Sequence, residues 1–276
     1  ARVQWRVNQA VFGDAALFRR GLRQAAQSQN VHGLTYGLFP CECHGCILPD
    51  YTLVWIASIW DYYWYTGDDS PIAEHFDGVQ RALGWFQRLA GRDDLLHHPG
   101  PGLWLFIDWA PLWKEDCNAT FNFQYLEALR LAAKMAEHLG YPEETARYRA
   151  RADRVERAAV RAFWDGRRKV FYEGYHRTGR RPFRQIAQHA NSYAILTNVQ
   201  PMWHRQIARN ALVHILRRHD RLLAGTPLAN GYVKGANYAV ASPFFYAYVL
   251  EAMSVSYTHL RAHETPEHLV CRLLLE

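Results

Sequence analysis

Tyr51-Thr52-Leu53-Val54-Trp55-Ile56-Ala57-Ser58-Ile59-Trp60-Asp61-Tyr62-Tyr63-Trp64-Tyr65-Thr66, followed by Gly67-Asp68-Asp69-Ser70-Pro71, is the stretch that decides the fold. Its apolar residues recur with a helical period and predict a helix over 51–66. The polar run after it stops that helix and starts another over 71–90, with Ser70 as N-cap and Pro71 at the first helical position. Two helices joined by so short a turn form a hairpin.

The same reading extends in both directions. Helical periods predict helices near 12–29, 117–139, 143–163, 187–198, 202–218 and 243–253. Leu139-Gly140-Tyr141-Pro142 is a second tight turn, with Gly140 as the C-terminal stop. Lys169–Glu173 after Trp164-Asp165-Gly166 predicts a small β-hairpin, and Leu103–Trp109 an apolar entry into a loop. Alternating short and long connections predict an all-α (α/α) toroid, with the long loops building a cleft at one end. No fixed repeat favours a solenoid.

At 276 residues, 49% of them hydrophobic, the chain can form one large core. No apolar run is long enough to cross a membrane, and no leader pattern opens the sequence. The net charge of +6 raises a nucleic-acid reading. Arg147, Arg149, Arg151, Arg154 and Arg157 are spread through an amphipathic segment, however, as on a solvated helix face, and no nucleic-acid-binding motif accompanies them. Aromatic residues make up 14% of the chain, and Trp60-Asp61 and Asp108-Trp109 pair them with carboxylates. Rings stack on sugar C–H faces and carboxylates accept sugar hydroxyls, so the composition suits a carbohydrate cleft, although any single Trp can equally be core. Cys41, Cys43 and Cys46 with His44 could complete a zinc site or a disulfide, but the tight spacing favours incidental loop thiols. No metal or cofactor is predicted.

Four segments in order carry a family resemblance. They are Pro49-Asp50-Tyr51 with Trp55, Trp60–Tyr63 and Tyr65–Asp68; Phe106–Trp109 with Asn118-Ala119 and the helix through Tyr125-Leu126 and Gly140; Gln188-His189-Ala190-Asn191; and Ser242-Pro243-Phe244 leading to Tyr248–Ala252. Together they resemble the catalytic domain of family 78 glycoside hydrolases, the bacterial α-L-rhamnosidases. The resemblance covers roughly residues 1–253 and implies a six-hairpin (α/α)6 toroid, incomplete and cut short at both ends. It also implies an inverting glycosidase acting on terminal rhamnose in glycosides.

The family's catalytic motif is Glu-Arg-x-x-Trp-x-x-Asp. Arg2 and Trp5 match it, whereas Ala1 stands at the general-acid position and Asn8 at the Asp position. The general base is expected in a Trp-Glu segment beyond Phe244, past the native end of this sequence. The resemblance therefore implies that no catalytic carboxylate is present and that the chain itself has little activity. Arg2, Trp5, Asn8, Asp50, Trp60, Asp61, Asp108, Trp109, His189 and Asn191 are the candidate substrate-binding residues, with Trp60 and Trp109 stacking on the sugar. Val255–Glu276 resembles a translated sequencing adapter, so 254–276 is read as a non-native tail. Two alternatives stay open: another toroid enzyme, such as a different glycosidase or an epimerase, and a non-catalytic sugar-binding domain. An epimerase would place paired His residues in the cleft, and His189 has no obvious partner in the sequence.

Overall fold

A computed structural model describes residues 2–40, 46–176, 181–202, 207, 210–211 and 238–257. The chain divides into two compact units, Ala1–Ile107 with Gln124–Val155, and Asp108–Phe123 with Glu156–Glu276. Eight helices dominate the described residues: α1 (Arg2–Phe12), α2 (Ala16–Gln27), α3 (Pro49–Thr66), α4 (Ser70–Leu89), α5 (Ala119–His138), α6 (Pro142–Phe163), α7 (Gln188–Leu196) and α8 (Tyr246–Tyr257). None is long and apolar enough to cross a membrane.

In the first unit, α3 packs against α1, α2 and α4. It buries residues around its whole circumference, among them Leu53, Trp55, Ile56, Ile59 and Tyr62, as a helix without a polar face must. Gly67 closes it at φ +74°, a conformation that costs a residue without a Cβ little. The start of α4 differs from expectation. Ser70 already lies in the helix, and the carboxylate of Asp68 accepts the Ser70 N–H at 3.0 Å and its hydroxyl at 2.5 Å. The N-cap is Asp69, whose side chain makes no capping bond, so Ser70 is not the cap expected from the sequence. The predicted helix 12–29 is α2, which starts only at Ala16; α1 before it, ended by Gly13 at φ +65°, was not expected. Gly140 ends α5 as expected, with the Tyr141 N–H reaching back to the Ala136 carbonyl at 2.8 Å. On α6, Thr145, Tyr148, Ala152 and Val155 form the buried stripe, while Arg147, Arg149 and Arg154 are exposed. The arginine run is a solvated face except at Arg151, which is 14% exposed and ion-paired to Asp94 at 3.1 Å.

The second unit holds a small sheet formed by β1 (Cys117–Asn118), β2 (Trp164–Asp165), β3 (Val170–His176), β4 (Arg181–Ala187) and β5 (Tyr238–Ala239). The order is β1-β3-β4-β5, with β2 on β3, and all pairs are antiparallel except β4–β5. The predicted small hairpin is β2–β3, with Trp164 opposite Phe171 and Asp165 opposite Val170, and β3 runs on to His176 to pair with β4, a strand not expected from the sequence. Helix α7 packs on β3, β4 and α8. Helix α8 continues through Tyr257, beyond the expected boundary at 253. Residues 258–276 and most of the predicted helix 202–218 lie outside the described residues.

Candidate functional site

Six candidates fall in the first unit. Arg2 is buried and binds two carboxylates. Its Nε and Nη2 donate to Asp61 at 2.7 and 3.1 Å, and its Nη1 and Nη2 to Glu127 at 3.1 and 2.9 Å. Arg6 adds bonds to Asp61 at 3.0 and 3.2 Å. Burial pushes the Asp61 carboxyl up, but the two guanidinium groups outweigh it and hold the group below the usual carboxylate range. Asp61 is thus a fixed negative charge at the centre of a four-residue ionic cluster. Neither Arg6 nor Glu127 was singled out from the sequence. Glu127 lies well apart from Arg2 in the chain, and only the packing of α5 residues beside α1 brings them together.

Trp5 is 4% exposed and stacks on Phe18 with ring centroids 4.1 Å apart. Trp5 and Asn8 both line a cavity of about 420 Å³ between α1, α2, α3 and Phe39. The Asn8 amide donates to the Asp14 carbonyl at 2.8 Å. Trp60 is half-buried, with Tyr63 against its edge and the Lys134 ammonium 5.5 Å from its ring centroid. Asp50 is buried in the first turn of α3 and accepts the backbone N–H groups of Phe106 and Ile107 at 3.1 and 2.8 Å. Ile107 has φ +50°, a left-handed conformation that strains a β-branched residue, and the Asp50 clamp helps hold it there.

The second unit contains the other four. Asp108 is fully buried. Its Oδ2 accepts from His189 Nε2 at 2.7 Å and from the Ser242 N–H at 2.8 Å. Its Oδ1 accepts from the Trp109 N–H at 2.8 Å and from the Ser242 hydroxyl. Burial pushes this carboxyl up, and His189 and Ser242 more than reverse the shift, leaving it low. His189 also lies against Phe245, with ring centroids 4.2 Å apart. Trp109 itself is 74% exposed. Asp108 therefore fixes the backbone that presents an open indole. Asn191 bridges α7 to β3, bonding both the N–H and the carbonyl of Phe171 at 2.9 and 3.0 Å. Its side chain is committed to the framework.

One buried acid escaped the sequence reading. Glu173 on β3 accepts from Thr120 Oγ1 at 2.5 Å, Asn118 Nδ2 at 3.0 Å and the Ala190 N–H at 3.2 Å. Burial raises its pKa, and the nearby His189 and these donors offset only part of the rise. The signal was visible as a lone carboxylate in the apolar run Val170–Tyr172. Ala1, Cys41 and Cys43 lie outside the described residues, and Cys46 is half-buried. Among the described residues no group of His, Cys, Asp and Glu side chains could hold a metal ion.

Residues 1–257 match the family described as the bacterial alpha-L-rhamnosidase 6 hairpin glycosidase domain. The chain belongs to this family. Among solved structures, this rhamnosidase-family chain resembles the GH78 family rhamnosidase of Bacillus sp. GL1, at a TM-score of 0.75 and 21% identity over 95% of this chain and 26% of that one. The rhamnosidase from Klebsiella oxytoca, solved with rhamnose bound, gives 0.74 and 19% over 99% and 47%. The Streptomyces avermitilis alpha-L-rhamnosidase complexed with L-rhamnose gives 0.55 and 19% over 75% and 18%. At these identities the likeness is one of fold, and the chain spans between 18% and 47% of those proteins. No curated protein matches it.

Proposed function

We propose that this chain forms the toroidal glycosidase domain of an enzyme that releases terminal α-L-rhamnose from glycosides with inversion at the anomeric carbon. The family match over residues 1–257 carries the reading. Rhamnose is the ligand named for two of the similar structures, and it is the candidate here. Inversion takes an acid and a base roughly 6.5–9.5 Å apart, with water between the base and the sugar. By the motif register the acid position is Ala1, which has no proton to give. Asp50, Asp61 and Asp108 are occupied by protein donors, which suits anchoring more than proton transfer. The exposed indole of Trp109 is the residue best placed to stack on a sugar, with Trp60 as the second choice.

The test combines binding and turnover. Calorimetry should show saturable binding of L-rhamnose and none of D-glucose. With alanine at the acid position, the chain should release little phenol from phenyl α-L-rhamnoside, and rhamnose binding is the deciding readout. A folded chain that binds no rhamnose would overturn the reading.

A further inference from the structure

The exposed Trp109 indole stands on a loop, 109–116, that forms no helix or strand of its own. Such a loop keeps one shape only if other groups take up its backbone N–H and carbonyl groups. Asp108, Lys114, Asn118 and Gln185 do this here, and all four belong to the second unit.

The peptide joining Asp108 to Trp109 is held at both ends. Its N–H donates to the Asp108 carboxylate at 2.8 Å, and its carbonyl accepts from the Lys114 ammonium at 2.5 Å. Between these residues the loop rests on β4. Gln185, only 6% exposed, uses both ends of its amide there. Its Oε1 accepts the Trp113 N–H at 3.0 Å, and its Nε2 donates to the Pro111 carbonyl at 3.0 Å. The Trp113 carbonyl accepts from Asn118 Nδ2 at 2.5 Å. The Trp113 ring stacks on Phe183, with centroids 4.2 Å apart, and lies over Gly174, where an added Cβ would collide with it. An open ring therefore stands on a fixed stem.

We propose that Gln185 is a positioning residue for sugar binding, holding the 109–116 loop so that the Trp109 ring is already in place when rhamnose stacks on it. The inference rests on the reading of Trp109 as the stacking residue. Gln185 is buried and its amide is engaged by the loop backbone, so it acts through Trp109 and not by contact with the sugar. A ring on a loose stem loses freedom when a ligand stacks on it, and that loss subtracts from affinity; a stem fixed beforehand avoids most of it. The amide is suited to the task because it offers a donor and an acceptor side by side. A carboxylate would keep the bond to Trp113 and lose the one to Pro111, and a hydrocarbon would keep neither.

The test titrates L-rhamnose by calorimetry into wild type, Gln185→Glu, Gln185→Leu and Trp109→Ala, and into Trp109→Ala combined with each Gln185 change. Circular dichroism reports folding. Gln185→Leu should weaken rhamnose binding about fivefold and Gln185→Glu about threefold. In the Trp109→Ala background neither should weaken it further, since a positioning residue acts only through the ring it positions. A merely structural glutamine would lower thermal stability and leave affinity unchanged, or weaken affinity by the same factor in both backgrounds. A second readout needs no sugar. In chain labelled with fluorotryptophan, the fluorine resonance that disappears in Trp109→Ala should shift or broaden in Gln185→Glu, a near-isosteric change that should fold. Rhamnose binding that depends on Trp109 but not on Gln185, or a Trp109 resonance unchanged in Gln185→Glu, would overturn this proposal alone. Failure of the folded wild-type chain to bind rhamnose would overturn the rhamnosidase reading and this proposal with it.

Discussion

Arg2 and Asp61 meet fork to fork, Nε on Oδ2 at 2.7 Å and Nη2 on Oδ1 at 3.1 Å, with both side chains buried. Two parallel bonds between a planar guanidinium and a carboxylate fix orientation as well as distance. The pair lies at the junction of α1 and α3, and Glu127 and Arg6 complete its charge balance. The same Arg2 and Asp61 were candidates for binding sugar, and in the structure they bind each other.

Asp61→Asn should destabilise the chain by about 3 kcal/mol, because it leaves buried guanidinium groups short of a counter-charge. The pH dependence has a definite sign. The folded carboxyl is held low, so its contribution is present above the unfolded value of about 3.9 and is lost as pH falls through the folded one. Urea unfolding at pH 7 and pH 3 checks both points. The gap between wild type and variant should shrink at the acid end, and a constant gap would refute this account.

Glu173 should act in the opposite direction. A carboxyl whose pKa rises on folding retains its proton longer in the folded state. Its contribution is complete below the ordinary value of 4.5 and declines as pH rises from there through the raised folded value. Glu173→Gln cannot ionise, so its stability should fall less than that of the wild type between pH 5 and pH 8. Parallel denaturation curves across that range would show that Glu173 is not the group responsible.

Gly33 and Gly100 separate two kinds of glycine requirement. Both have positive φ, +94° and +97°. At Gly33 a Cβ would sit 2.8 Å from the backbone carbon of Arg81, whereas at Gly100 it would meet nothing within 4 Å. Gly100→Ala should cost about 1 kcal/mol, from the backbone conformation alone. Gly33→Ala should cost at least twice as much, since backbone and not a movable side chain must give way. Equal shifts in thermal unfolding would contradict the close approach.

Trp109→Ala should leave stability within about 0.5 kcal/mol of wild type, because the ring is exposed and little packing is lost. On the sugar-stacking reading it should weaken L-rhamnose binding about tenfold. Trp60→Ala, which also removes the Lys134 contact, should affect both quantities. Unchanged rhamnose affinity in Trp109→Ala would remove Trp109 from the candidate site.

The helices were legible in the sequence to the extent that their signals are local. The apolar run of α3, the Gly67 and Gly140 stops and the arginine face of α6 each depend on residues within a turn or two of one another, and the structure matches them. Helix α1 was missed because its apolar residues are few and interrupted by Arg2, Gln4, Arg6, Asn8 and Gln9, and α2 was started too early, at 12 and not at Ala16. The β3–β4 ribbon was read only in part, since its second strand carries Arg181, Arg184 and Gln185 and lacks apolar alternation. Its partners, not its own propensity, make it a strand.

The sequence by itself determined the helical hairpins, the family and the choice of aromatic and acidic residues for scrutiny. Periodicity, turn residues and ordered motifs are properties of the chain alone. Tertiary structure decided what those residues do. Asp50 clamps the backbone at Phe106 and Ile107, Asp61 balances two arginines, and Asp108 ties His189 and Ser242 together while Trp109 is left exposed. These partners are far apart in sequence. Whether a carboxylate is an anchor or is free to meet a ligand depends on the donors that folding brings within hydrogen-bond distance, and on the water that burial removes. No local pattern encodes either.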